Sequence, residues 1–101
     1  MSLIKEPQDT SIDGEKYVRQ TGHVLESQID DEKVLFDTRS GQTFGLSPVA
    51  TVIWELLIHP TDLNSLCRSL MEAFDVSPEK CREETKALLD RLAAKGLVVS
   101  Q

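Results

Sequence analysis

The residue types best suited to acid–base, nucleophilic or metal chemistry are few and scattered. His23 stands beside a β-like run and His59 in a turn with Pro60. Neither falls in an H-x-x-x-H spacing, and Cys67 and Cys81 form no C-x-x-C pair, so these four do not predict a metal centre. Both cysteines recur within apolar helical stripes, where a reduced thiol serves as a small hydrophobe. Glu83 and Glu84 are adjacent, so on a helix they diverge by about 100° and cannot share a proton. The sequence contains neither G-x-x-x-x-G-K-[ST] nor G-x-G-x-x-G, so nothing predicts a phosphate cradle. The expectation is a protein that is no enzyme by itself and uses no metal or cofactor.

Charge and length narrow the remaining classes. Seventeen acids against eleven bases leave a formal net charge of -6 over 101 residues. Such a surface repels polyphosphate and anionic lipid unless its bases cluster. The length suits one small domain. No apolar run approaches a bilayer span and no export signal opens the chain, so no membrane partner is expected, and reduced thiols and a cytoplasmic address are.

The elements that would position any binding surface are legible in the hydrophobic period. Residues 1–22 carry Pro7, Gly14 and Gly22 among charges and read as a flexible N-terminal arm, with room for a short strand near Tyr17 and Val18. Residues 23–101 read as the folded domain. Val24 to Ile29 alternates, with Leu25, Ser27 and Ile29 on one side, and Asp30-Asp31-Glu32 makes a turn. Lys33 to Asp37 forms a second strand, Arg39-Ser40-Gly41 a second turn, and Gln42 to Leu46 a third strand. Phe44 and Leu46 share one face of that strand, Thr43 and Gly45 the other. Short turns between successive strands predict an antiparallel meander.

From Ser47 the period changes to 3.6. Ser47-Pro48 and Ser77-Pro78 are N-caps followed by proline at the first helical position. Val49, Val52, Ile53, Leu56 and Leu57 line the first helix, which His59-Pro60 ends. Thr61 is expected to start the second, with Leu63, Leu66, Cys67, Leu70, Met71 and Phe74 as its stripe. The third carries Cys81, Thr85, Leu88, Leu89 and Leu92 and closes at Gly96. Leu97 to Val99 suits a short extended tail, and Trp54, within the first helix's stripe, is assigned to packing. The order β-β-β-α-α-α predicts an α+β fold, winged helix-turn-helix-like, with a three-stranded antiparallel meander followed by three helices.

That helical order raises a winged-helix DNA-binding regulator as one functional reading. The third helix, however, nets only +1, and the Asp30-Asp31-Glu32 turn puts acids on the would-be wing, so no nucleic-acid partner is expected. The sheet suggests another reading. Its third strand is short, uncharged and free of proline, and such an edge is a template for an incoming extended peptide unless shortness or the N-terminal arm blunts it. The same edge would allow a monomer or an edge-paired or swapped dimer. A general protein-interaction domain is a third reading.

The run VLFDTRSGQTFGLSPVATVIWELL, Val34 to Leu57, resembles the PqqD-like family, also called RiPP recognition elements. Gly41, Leu46, Ser47, Ala50 and Ile53-Trp54 carry the likeness. Leu66, Leu70, Phe74, Val76, Leu88-Leu89, Leu92 and Gly96-Leu97 extend it, so it covers residues 24 to 99. Ser47 stands where the family often has asparagine or aspartate, and Glu84-Thr85 where aspartate-valine is common. The resemblance implies binding of the leader of a ribosomally made precursor peptide as an added strand. The leader would then be presented to a modifying enzyme, such as a radical SAM protein, cyclase or protease. It also implies the recruiting strand Gln42, Thr43, Phe44, Gly45 and Leu46. Opposite this strand the groove side would be Cys81, Thr85, Leu88 and Leu89, with Arg82 and Glu84 at the rim.

Overall fold

The computed structural model describes residues 15–100. Its strands are β1 (Lys16–Arg19), β2 (Val24–Ile29), β3 (Glu32–Asp37), β4 (Thr43–Leu46), β5 (Thr61–Asp62) and β6 (Val98–Ser100). The helices are α1 (Pro48–Leu56), α2 (Leu63–Ala73) and α3 (Pro78–Ala94). The architecture is α+β, with the meander preceding the helices as the patterning predicts.

Strands β2, β3 and β4 form the antiparallel meander in that order. Asp30 supplies the positive φ of 57° in the first turn, a conformation aspartate tolerates better than most residues. The second turn contains a bulge. The Asp37 amide donates to Gln42 O at 2.9 Å while Gly41 N donates to Asp37 O at 2.8 Å, so two residues oppose one. Gly41 sits at φ 78°, the left-handed position such a bulge requires. The Asp37 side chain is itself buried and accepts from Arg39 N at 2.9 Å, bracing the loop. That hydrogen bond holds its carboxyl below the usual carboxylate range.

Alternation then assigns the faces. Leu35, Phe44 and Leu46 turn towards α1 and the core, whereas Leu25 and Ile29, each 61% exposed, lie on the outer face with Phe36. Trp54 of α1 is fully buried, and its Nε1 donates to Glu26 Oε2 at 2.8 Å. Lys33 Nζ reaches the other oxygen of Glu26 at 3.1 Å, and the Arg19 guanidinium stacks 5.4 Å from the Trp54 ring centroid. Burial pushes the Glu26 carboxyl up, but hydrogen bonds from Trp54 and Lys33 with the charges of Lys33 and Arg19 outweigh it. The pKa therefore lies below the ordinary value. This cluster seats the first helix on the sheet.

A second, smaller sheet lies in the order β5-β1-β6, both partners antiparallel to β1. Lys16–Arg19 falls on the N-terminal side of the boundary expected at residue 22, yet it is built into the fold. Tyr17 is buried, Arg19 N donates to Leu57 O at 2.9 Å, and Gln20 N donates to Leu97 O at 2.8 Å. The rest of the expected arm, residues 1–14, lies outside the described residues. The sheet ties the end of α1 to the C-terminal tail, whose Leu97 and Val98 are fully buried. No helix among the described residues is long and apolar enough to cross a membrane.

The helix starts follow the caps with one change. Ser47 accepts from Ala50 N at 3.2 Å and Ser77 from Lys80 N at 3.3 Å, each ahead of its proline. For α2 the cap is Asp62, not Thr61: its Oδ1 accepts from Ser65 N at 2.7 Å, while Thr61 pairs with Tyr17 in the second sheet. Gly96 ends α3 at φ 75°, as a C′ glycine does.

The Asp62 cap supplies a test. Hydrogen bonds from the Ser65 hydroxyl and amide hold its carboxyl below the ordinary range. A depressed folded-state pKa stabilises the protein above the unfolded value, and that contribution is lost as pH falls through the folded pKa. Asp62→Ala should therefore cost about 1 kcal/mol at neutral pH. In urea unfolding at stepped pH, the gap between variant and parent should close on the acid side of the carboxylate range.

Candidate functional site

The bulge at Gly41 sets the phase of the β3–β4 ladder. Asp37 and Gln42 form a hydrogen-bonded pair, and such pairs alternate with non-bonded ones along an antiparallel ladder. The register pairs Phe36 with Thr43, Leu35 with Phe44, Val34 with Gly45 and Lys33 with Leu46. Phe44 and Leu46 therefore bond inward to β3. Thr43 and Gly45 point their N–H and C=O groups outward. Strand β4 pairs only with β3 among the described residues, so these two residues offer two donors and two acceptors in one line. Both are exposed.

Where β4 ends, a cavity of about 460 Å³ begins. Ser47, next in sequence after Leu46, lines its mouth. Val49, Ala50 and Ile53 of α1 form one wall, and Leu70 with Phe74 and Val76 closes the end near α2. The facing wall belongs to α3: Cys81, Glu84, Thr85, Ala87, Leu88 and Arg91. Residues 81, 84, 85 and 88 share one helix face by the three-and-four spacing, which is why one helix supplies a whole side. Most of the lining is apolar, with charge confined to Glu84 and Arg91. An unfilled apolar cleft next to an open strand edge can take an extended chain by its backbone and bury alternate side chains.

Of the groove residues expected from the sequence, Cys81, Glu84, Thr85 and Leu88 line this cavity. Leu89 is fully buried in the core, one residue and about 100° around the helix from Leu88. Arg82 turns towards α2 and donates to Asn64 Oδ1 at 2.6 Å. None of the strand residues Gln42 to Leu46 lines the cavity, although Ser47, next after Leu46, does, and Gln42 belongs to the bulge. Sequence reading missed the contributions of α1, of Phe74 and Val76, and of Arg91. Arg91 alone left a trace, three residues beyond Leu88 and seven beyond Glu84 on the same face.

The remaining chemical groups are occupied structurally. Burial, reinforced by neighbouring Cys81, pushes the Cys67 thiol up to about 11, so it is protonated at neutral pH. Cys81 Sγ lies 4.0 Å from Cys67 O and 3.9 Å from Thr85 Oγ1, and both cysteines are free thiols. His23 Nε2 sits 3.2 Å from Gly96 O, joining the meander to the end of α3. No group of three or more His, Cys, Asp or Glu able to hold a metal occurs among the described residues.

Known proteins share this fold. The family model for coenzyme PQQ synthesis protein D (PqqD) matches residues 32–98. Among solved structures, the chain is similar to TbiB1 in complex with the TbiA(beta) leader peptide. That likeness has a TM-score of 0.71 and 27% identity over 80% of this chain and 94% of that one. A lasso peptide synthetase B1 complexed with the leader peptide has the same fold, with a TM-score of 0.70 and 22% identity over 82% of this chain and 96% of that one. No curated protein sequence gives a significant match.

The one-residue step between groove and core is measurable. Leu88→Ala should cost about 1–2 kcal/mol in urea unfolding, because its side chain is half-buried at the cleft. Leu89→Ala should cost about 3 kcal/mol or more, because it empties a closed site.

Proposed function

Because the chain belongs to the PqqD family, we propose that it binds the leader segment of a ribosomally synthesised precursor peptide and presents it to a separate modifying enzyme. The observation that carries this reading is the outward-facing pair Thr43 and Gly45 beside the α1–α3 cavity. The leader adds to β4 as a fourth strand through four main-chain hydrogen bonds, and alternate side chains enter the groove against Thr85 and Leu88. The leader peptide bound in the similar TbiB1 structure supports leader binding as such. The partner is a radical SAM protein, a cyclase or a protease, and the meeting takes place in the cytoplasm, where the precursor is made. Peptide addition and edge-paired dimerisation use the same strand and so compete.

The magnitudes suit a carrier. Four backbone bonds contribute about 0.5–1.5 kcal/mol each. Two buried apolar anchors add about 1.5–3 kcal/mol apiece. Ordering the peptide costs about 2–5 kcal/mol, and association itself costs several more. The balance is an affinity on the order of micromolar, tight enough to recruit and weak enough to release.

Duplex binding has no comparable support at this site. Lys80 and Lys86 of α3 are engaged by Glu84 at 3.3 Å and Asp90 at 2.7 Å. The cavity-facing side of the same helix is mostly apolar.

The test uses fluorescently labelled leader segments of candidate precursor peptides. Thr43→Pro removes one outward amide and no bond to β3, so it should abolish anisotropy-detected binding while leaving the helical circular dichroism intact. Phe44→Pro removes an inward amide and should destabilise the hairpin. Unchanged affinity in a folded Thr43→Pro variant would contradict strand addition at β4.

A further inference from the structure

The charges on the groove wall are not equivalent. Glu84 is held by Lys80 at 3.3 Å, one turn back along α3. Asp90, beside Arg91 in sequence, is held by Lys86 at 2.7 Å. Arg91 contributes to the cavity wall, and no carboxylate among the described residues pairs with its guanidinium. The groove thus has an apolar middle at Leu88 and an uncompensated, permanently charged cation one turn further along the helix. Arg91 is exposed, so in the free protein water solvates it, and a carboxylate of a chain lying in the cleft can reach it there.

We infer that Arg91 is a specificity-determining residue that selects leader peptides carrying an aspartate or glutamate two positions from an apolar anchor. The inference rests on the leader-binding reading above. Leu88 and Arg91 are about 4.5 Å apart along the helix axis. Groove-facing residues of an extended peptide repeat every second position, about 6.7 Å apart, and the long arginine side chain spans the difference. An anchor seated against Leu88 therefore places its next groove-facing neighbour, on the side of the α3 C-terminus, within reach of the guanidinium. A carboxylate there accepts charge-assisted, fork-like hydrogen bonds. Lysine or arginine at that position is repelled.

A positive charge near a helix C-terminus also complements the macrodipole, so stability alone would not reveal the role. The test is selection of a random linear peptide display library on the full chain, with Arg91→Glu and Thr43→Pro in parallel. The parent should enrich peptides with an apolar residue and an acid two positions away. Arg91→Glu, which should stay folded with a somewhat lowered melting temperature, should replace that acid with a base. It should also weaken the best parental peptide by about three- to tenfold. Enrichment of apolar anchors with no acid preference, or with a preference that Arg91→Glu leaves in place, would overturn the role of Arg91 while sparing strand addition. Failure to enrich any peptide, or enrichment that Thr43→Pro does not reduce, would overturn the leader-binding reading and this inference with it.

Discussion

The phase of one hydrogen-bond ladder governs what this domain can bind. A single extra residue at Gly41 shifts the pairing so that Asp37 bonds to Gln42. Every later assignment on β4 follows from strict alternation. Without the bulge, a one-residue slip would turn the polar groups of Phe44 and Leu46 outward and move their side chains off the core. With it, the strand satisfies two contrary demands. Its large apolar side chains seal the sheet against α1, and its two small, exposed residues present an open backbone.

The rest of the fold holds that edge beside a cleft. The Trp54–Glu26 hydrogen bond at 2.8 Å, shared with Lys33, locks α1 on the inner face of the meander. The small β5-β1-β6 sheet draws the start of α2 and the chain end after α3 together through one strand. The three helices can then leave a cavity between α1 and α3 without losing the packing of Leu66 and Leu89 behind it. The cleft is open to solvent and mostly apolar, so a ligand that covers it removes apolar surface from water and binding draws on that burial.

Much of this was readable in the sequence because it is encoded locally. The meander showed as period-two runs around Asp30 and Gly41, and α1 and α3 showed as serine–proline starts with stripes behind them. The second sheet was harder to see. Strands of two to four residues carry no usable period, and Tyr17 meets Thr61 and Ser100 only through tertiary structure. Thr61 looked like a cap because threonine suits one, but pairing with β1 claims its backbone and passes the cap to Asp62. On α3 the difficulty was angular: Leu88 and Leu89 are both apolar, and only the packed structure separates cleft from core. The groove walls from α1 and α2 were read as ordinary helical stripes, since a partly empty cavity leaves the same pattern as a filled one.

Amide hydrogen exchange by NMR, with and without a leader peptide that the domain binds, tests the outward phase of β4 most directly. In the free domain the Phe44 and Leu46 amides should exchange slowly and those of Thr43 and Gly45 quickly. Saturation with the leader should slow Thr43 and Gly45 selectively. Slow exchange at Thr43 and Gly45 in the free state, or no change there on saturation, would contradict the account.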